Sequence, residues 1–285
     1  MRTTLLTIHT IAILAFARIS IAQTTDTTKH SPWTHTVVAN LNVSEASYTN
    51  WSAGGENALA YTALLTGKSE DNPVSATWTN TYKFAFGQAR LGDHGLRKTD
   101  DEMSIQSLFK YKLDSLVNPY AAATFISQFA PGYVYDAHDS ATQVSKFFDP
   151  AYFTESIGAL YQPSKIFKTR LGAALREIIT SQFTNYADDP STPQIESTRV
   201  EAGLESVSEL TWPIDDNLLI SSKLEFFAPL KHFDQIVTRS ESGIAAKITK
   251  VVVVNLNALI LNDPTVTPRT QVKQTLSIGV TYTIL

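Results

Sequence analysis

The sequence has no cysteine, which excludes a disulfide framework and thiolate-held metals. Charge is sparse: 18% of residues are charged, against roughly 25% in ordinary soluble proteins. Hydrophobic residues make up 43% of the chain, yet mean hydropathy is only −0.07, so the apolar residues are dispersed. Beyond the N-terminus no run reaches the roughly 18–20 apolar residues of a membrane-crossing helix. The greasiest window, Val251 to Leu261, is broken by Asn255 and Asn257. No Gly-x-Ser-x-Gly motif and no phosphate-cradling glycine loop occurs. His94, His138 and His232 fall in expected loops, and His35 lies near the start of the first strand. None is spaced as a metal ligand or as the base of a serine nucleophile, so no metal and no cofactor is expected. Asp100-Asp101-Glu102 and Asp188-Asp189 are weak calcium candidates whose ordinary role is solvation.

What is present is alternation. In the last residues Leu276, Ile278, Val280, Tyr282 and Ile284 fall on one face of a strand, and Ser277, Gly279, Thr281 and Thr283 on the other. Nine alternating residues approach the roughly 9–11 that a tilted membrane strand needs. Similar segments recur along the chain. Strands are expected at Val37–Val43, Asn57–Lys68, Val74–Ala89, Glu102–Leu113, Pro119–Ala130 and Ala151–Gln162. Six more follow at Ile166–Ile179, Glu196–Leu210, Leu218–Leu230, Gln235–Lys247, Val251–Leu261 and the terminal stretch. The facing of the fifth and sixth is ambiguous.

Short links such as Ser69–Pro73 and Pro163–Lys165 alternate with longer ones such as Pro131–Pro150 and Thr180–Ile195. That rhythm is the mark of an outer-membrane barrel with short periplasmic turns and longer outside loops. Aromatic residues near strand ends, Trp78, Phe86, Tyr111, Tyr120, Tyr161, Trp212 and Tyr282, are expected to form interfacial girdles. A soluble β-sandwich is the competing fold, but strands of this length exceed its usual 5–6 residues. The expected fold is therefore all-β: one antiparallel transmembrane barrel of about twelve strands spanning residues 33–285.

Ahead of it, residues 1–22 read as a signal peptide. Arg2 precedes an apolar stretch, and Ser20-Ile21-Ala22 suits cleavage before Gln23. Residues 23–32 read as a periplasmic linker. Cleavage removes Arg2 and Arg18, lowering the basic count from 23 to 21 against 27 acidic residues. That balance argues against a nucleic-acid partner. The expected surroundings are outer-membrane lipid and the barrel assembly machinery, and the location is the bacterial outer membrane.

Two groups of residues are candidate functional features. The first lies on the polar faces: Lys110, Lys168, Arg170, Arg176, Arg199, Glu201, Glu205, Lys223, Glu225, Arg239 and Glu241. Lys168, Arg170 and Arg176 are expected to face Glu201 and Glu205. They line a narrow pore, form an ion network that braces the wall, or hold a specific ligand. The second is Asn50, Trp51, Gly54, Gly55 and Asn57, read as a constriction loop or as a tight turn with an interfacial tryptophan.

Three stretches resemble a family of Gram-negative outer-membrane β-barrels known only as a domain of unknown function. They are Asn50-Trp51-Ser52-Ala53-Gly54-Gly55-Glu56-Asn57, Lys98-Thr99-Asp100-Asp101-Glu102 and Phe125-Ile126-Ser127-Gln128-Phe129-Ala130-Pro131-Gly132-Tyr133. Arg176 to Gln182 does not reproduce a Ser-Pro segment of that family, and the last residue is Leu285 rather than an aromatic. The resemblance implies architecture and location and brings no catalytic residues. The leading functional expectation is a narrow channel for small polar solutes. The alternatives are a closed structural barrel and, third, an outer-membrane lipid hydrolase.

Overall fold

A computed structural model of the chain describes residues 33–47, 56–189 and 192–284. The expected signal peptide and linker lie outside the described residues, as do Asn50, Trp51, Gly54 and Gly55. The strands are β1 (Thr34–Ala46), β2 (Ala58–Asp71), β3 (Ala76–Leu91), β4 (Arg97–Tyr111) and β5 (Val117–Ser127). They continue as β6 (Gly132–Tyr135), β7 (Ala141–Ser145), β8 (Ala151–Tyr161), β9 (Phe167–Ile179) and β10 (Thr198–Pro213). The last are β11 (Leu218–Pro229), β12 (Val237–Lys247), β13 (Val252–Asn262) and β14 (Gln271–Thr283). Among the described residues the one helical element is a 3-10 turn at Thr184–Tyr186.

Twelve strands close an antiparallel barrel in the order β1-β14-β13-β12-β11-β10-β9-β8-β5-β4-β3-β2. The terminal strand β14 zips onto β1 from Val38↔Thr283 to Asn42↔Gly279, and onto β13 with Leu256↔Leu276. Closure pairs the last edge with the first and leaves no open edge. Two expectations are corrected. β3 and β4 run further than their alternation indicated, so the link expected over Arg90–Asp101 shrinks to residues 92–96. The link expected to be loop over Pro131–Pro150 instead contains the β6–β7 hairpin. Its strands, of 4 and 5 residues, are too short to alternate visibly.

Facing follows from burial and register. On β14, Leu276, Ile278, Val280 and Tyr282 are exposed outward, while Gly279 is buried and Ser277 and Thr281 are half-buried. On β5 and β8, Tyr120, Ala122, Ser156 and Leu160 are buried inward and Ile157 is exposed outward. Tyr120 was expected in a girdle; it is instead 4% exposed inside the barrel. Gly158 and Gly172 sit opposite each other on β8 and β9, and a Cβ on Gly172 would meet the Tyr120 hydroxyl at 2.6 Å. The two glycines thus leave the space that the ring fills. Leu108, Ala122 and Leu160 pack around it as a small apolar core. The outward aromatics fall into two belts. Trp33, Trp78, Phe109, Tyr111, Tyr161 and Trp212 lie toward the short turns, and Phe125, Phe129, Phe148 and Phe153 toward the long loops. Between them the outward face is not wholly apolar, because Glu155 shares the face of Phe153 and Ile157.

A bulge fixes one loop. Gly87 pairs with Asp100 and Gln88 with Lys98, leaving Thr99 extra on β4. Asp101 then turns away from the lumen and accepts the backbone N–H groups of Phe129 and Ala130 at 2.8 Å each. Lys98 donates to Asp101 and to the Ala130 carbonyl, both at 2.8 Å. The Lys98–Glu102 and Phe125–Tyr133 stretches therefore meet directly.

Candidate functional site: the barrel lumen

All eleven polar-face candidates project inward, because each shares the lumen register of its strand. Their partners differ in part from expectation. Arg170 does meet Glu205, at 3.3 Å, and Ser156 donates to the same carboxylate at 2.6 Å. Lys168 pairs with Glu209 at 2.9 Å. Arg176 lies in register with Glu201, but its guanidinium reaches Asp263 in the β13–β14 loop at 2.8 Å. Arg199 stands 3.8 Å from Glu201 and donates to the Thr265 hydroxyl at 2.7 Å. Burial disfavours the Asp263 charge, but Arg176 and the Thr265 hydroxyl and N–H outweigh it. The carboxyl is held below its ordinary value of 3.8.

The centre of the lumen is crossed by ion pairs. Lys83 on β3 contacts Glu102 at 3.1 Å and Glu241 at 2.9 Å. Arg239 on β12 contacts Glu102 at 3.0 Å, Glu225 at 3.7 Å and Glu241. β12 and β4 stand six strands apart either way round the ring, so these contacts join opposite walls. Lys223 pairs with Glu225 at 2.7 Å and also reaches Gln106 on β4 at 3.2 Å. Lys83 and Glu102 were not among the candidates. Lys83 carried a signal, as the one charge on the polar face of the third strand, but its partner across the barrel, Glu241, lies 158 residues away.

The Asp100-Asp101-Glu102 run does not converge on a metal. Asp100 pairs with Lys273 at 2.7 Å, Asp101 caps the loop, and Glu102 joins the central network. At Asp188-Asp189, Asp188 accepts the Glu196 N–H at 3.2 Å and belongs to the loop's own bonding. Among the described residues no group of three or more His, Cys, Asp and Glu could hold a metal.

The side of the lumen formed by β13, β14, β1 and β2 is different. Asn257, Thr275, Ser277, Asn42 and Thr62 face inward there, and the middle of this side carries no charge. Gly279 lets it close: a Cβ there would stand 2.0 Å from the Asn42 side-chain oxygen.

Free space follows this division. A cavity of about 740 Å³ opens at the long-loop end, between Arg176, Glu205, Arg239 and Asp263. One of about 720 Å³ opens at the short-turn end, between Lys110, Lys168, Glu209 and Leu160. At the level of the central network a narrower space of about 200 Å³ lies against Asn42, Thr62, Asn257 and Thr275.

Register exposes a pair that sequence spacing could not show. His35 on β1 sits opposite Ser69 on β2, with Nδ1 2.8 Å from the hydroxyl, at the short-turn rim. Among the described residues no carboxylate contacts the His35 ring.

The family described as "Protein of unknown function (DUF3078)" matches residues 43–133. No curated protein matches the sequence. Among solved structures the chain resembles the translocator domain of autotransporter NalP from Neisseria meningitidis, at 11% identity and a TM-score of 0.38, over 96% of this chain and 97% of that one. It also resembles an outer membrane channel from Pseudomonas putida F1, at 10% identity and a TM-score of 0.40, over 92% and 99% of the two chains. The outer membrane channel DcaP of Acinetobacter baumannii matches at 8% identity and a TM-score of 0.31, over 88% and 96%. At such scores these likenesses carry no argument about function.

Proposed function

We propose that this chain is an outer-membrane barrel that conducts small polar solutes along the uncharged side of its lumen. The long loops face outside, the short turns face the periplasm, and the two aromatic belts mark the membrane interfaces. The observation that carries the reading is the placement of the three cavities. Two wide vestibules at opposite ends flank a narrower space, with Asn42, Thr62, Asn257, Thr275 and Ser277 on one side of it and Lys83, Asp100, Glu102, Glu241 and Lys273 also lining it. Eight strands give a filled interior and sixteen a wide aqueous channel. At twelve, the side chains decide.

The test is conductance of purified protein in a planar bilayer. Discrete, small, reproducible openings are expected. Silence at every voltage would contradict the reading.

A second reading, a closed structural barrel, is favoured by the ion pairs that join opposite walls at Lys83, Glu102, Arg239 and Glu241. The same recording separates the two. Catalysis is not part of the proposal, since among the described residues no carboxylate orients His35 beside Ser69 and both lie on regular strands. Lipid hydrolysis that disappears in His35→Ala would contradict that.

A further inference from the structure

The chain is acidic overall, with a net charge of −4, yet one mouth of the barrel is basic. The short-turn vestibule is lined by Lys68, Lys110, Lys112, Lys165 and Lys168. Only two carboxylates share it. Glu70 is taken by Lys68 at 2.6 Å, and Glu209 by Lys168 at 2.9 Å. Lys110 and Lys112 spend their protons on neutral oxygens instead, the Gln162 side chain at 3.0 Å and the Pro73 carbonyl at 2.6 Å. Lys165 has no carboxylate partner among the described residues. Among the described residues its five lysines thus outnumber its two carboxylates by three, and Lys110, Lys112 and Lys165 have no carboxylate in contact. The opposite vestibule is balanced, with Arg176, Arg239 and Arg269 set against Glu205, Glu225 and Asp263.

Gathering uncompensated like charges inside a half-enclosed space is unfavourable unless a counter-ion shares it. Lysine ammonium groups are compact point charges with three donors each, suited to the oxygens of a phosphate or carboxylate. We infer that the short-turn vestibule is an anion-binding site that recruits small oxyanions, carboxylates or phosphates, on the periplasmic side. The inference deepens the channel reading and rests on it for the route beyond the vestibule. Binding at the mouth is measurable without that route.

The first experiment uses inorganic phosphate as the probe, with the purified barrel in zwitterionic detergent. Phosphorus NMR line width of the free phosphate should broaden with wild-type protein. Broadening should fall several-fold in Lys110→Gln/Lys112→Gln and return in Lys110→Arg/Lys112→Arg, which keeps the charge. The arginine pair also guards against mistaking misfolding for lost binding. No broadening by the wild type, or equal broadening by the glutamine pair, would overturn the site. So would its loss when anionic lipid headgroups are added in mixed micelles, which would assign the lysines to the membrane surface. The second experiment is the reversal potential in a salt gradient. Anion preference should shift toward cations in the glutamine pair. Phosphate binding with no conductance would defeat the channel reading while leaving the site standing. Conductance with no anion preference and no phosphate binding would do the opposite.

Discussion

The lumen has two unlike sides. On β9 to β12, with β3 and β4 opposite, long charged side chains reach across and tie the walls together. On β13, β14, β1 and β2 the inward positions at mid-height are uncharged, chiefly Asn, Thr, Ser and Gly with Leu64 and Leu259, and the space beside them stays open. Both sides are polar, and an alternating pattern treats them alike. Reach and charge separate them. Arg239 contacts three carboxylates at once, so removing it leaves Glu102, Glu225 and Glu241 with only Lys83 and Lys223 to balance them. Asn257 or Thr275 can be changed without stranding a charge. The charged side braces; the neutral side leaves room.

The largest effect should come from breaking the brace. Arg239→Gln should lower unfolding stability on the order of 3 kcal/mol, because it leaves three carboxylates sharing two lysines inside the barrel. Asn257→Ala, on the neutral side, should cost less than about 1 kcal/mol. Urea unfolding followed by tryptophan fluorescence compares them, and equal losses would erase the distinction between the two sides.

Next is the outer surface of the neutral side. Leu276 is 75% exposed on the outward face of β14. Leu276→Arg should cost about 2–4 kcal/mol if that face meets the middle of the bilayer. Ser277→Arg points inward and should assemble far better. Heat-modifiable gel migration of membrane fractions reads the yield of each.

A smaller effect is expected at the closing seam. Gly279→Ala pushes a methyl into the Asn42 side chain and should cost about 1–3 kcal/mol. Adding Asn42→Gly should recover most of it. Failure of the second change to rescue the first would place the strain in the backbone at Leu41 instead.

The smallest concerns the loop end of the charged side. The Asp263 carboxyl is depressed in the folded protein, so its pairing with Arg176 contributes fully above the ordinary value of 3.8. That contribution fades as pH falls through the lower folded value. Proteolysis within residues 263–270 should therefore rise below about pH 4 in the wild type. Asp263→Asn should show the raised rate at neutral pH with little further change on acidification.

Much of this architecture was legible before any coordinates. The twelve barrel strands can be placed from the sequence, with ends displaced by up to five residues, because a strand with one apolar outward face and one polar inward face must alternate; the facing of the fifth and sixth stays ambiguous there. The β6–β7 hairpin escaped because its strands, of 4 and 5 residues, are too short to show a period. Tyr120 was misplaced because its strand carries alanines on both faces, and only the register with Gly158 and Gly172 sets its direction. The inward charges on the strands could be named, but not their partners. Arg176 and Asp263 are 87 residues apart, and Lys83 and Glu241 are 158 apart. A closed ring brings together residues that no local spacing relates. The open side was least legible, since it is defined by short neutral residues that carry no signal of their own.

Passage of solute beside those neutral residues is what separates a channel from a closed brace. Thr275 lines the narrow space at mid-height, on the inward face of β14. Single-channel recording of the wild type and of Thr275→Trp, each shown to be folded by its gel migration, tests this most directly. The account predicts small discrete openings in the wild type and their near-complete loss in Thr275→Trp. Equal current through both, or a silent wild type, would contradict it.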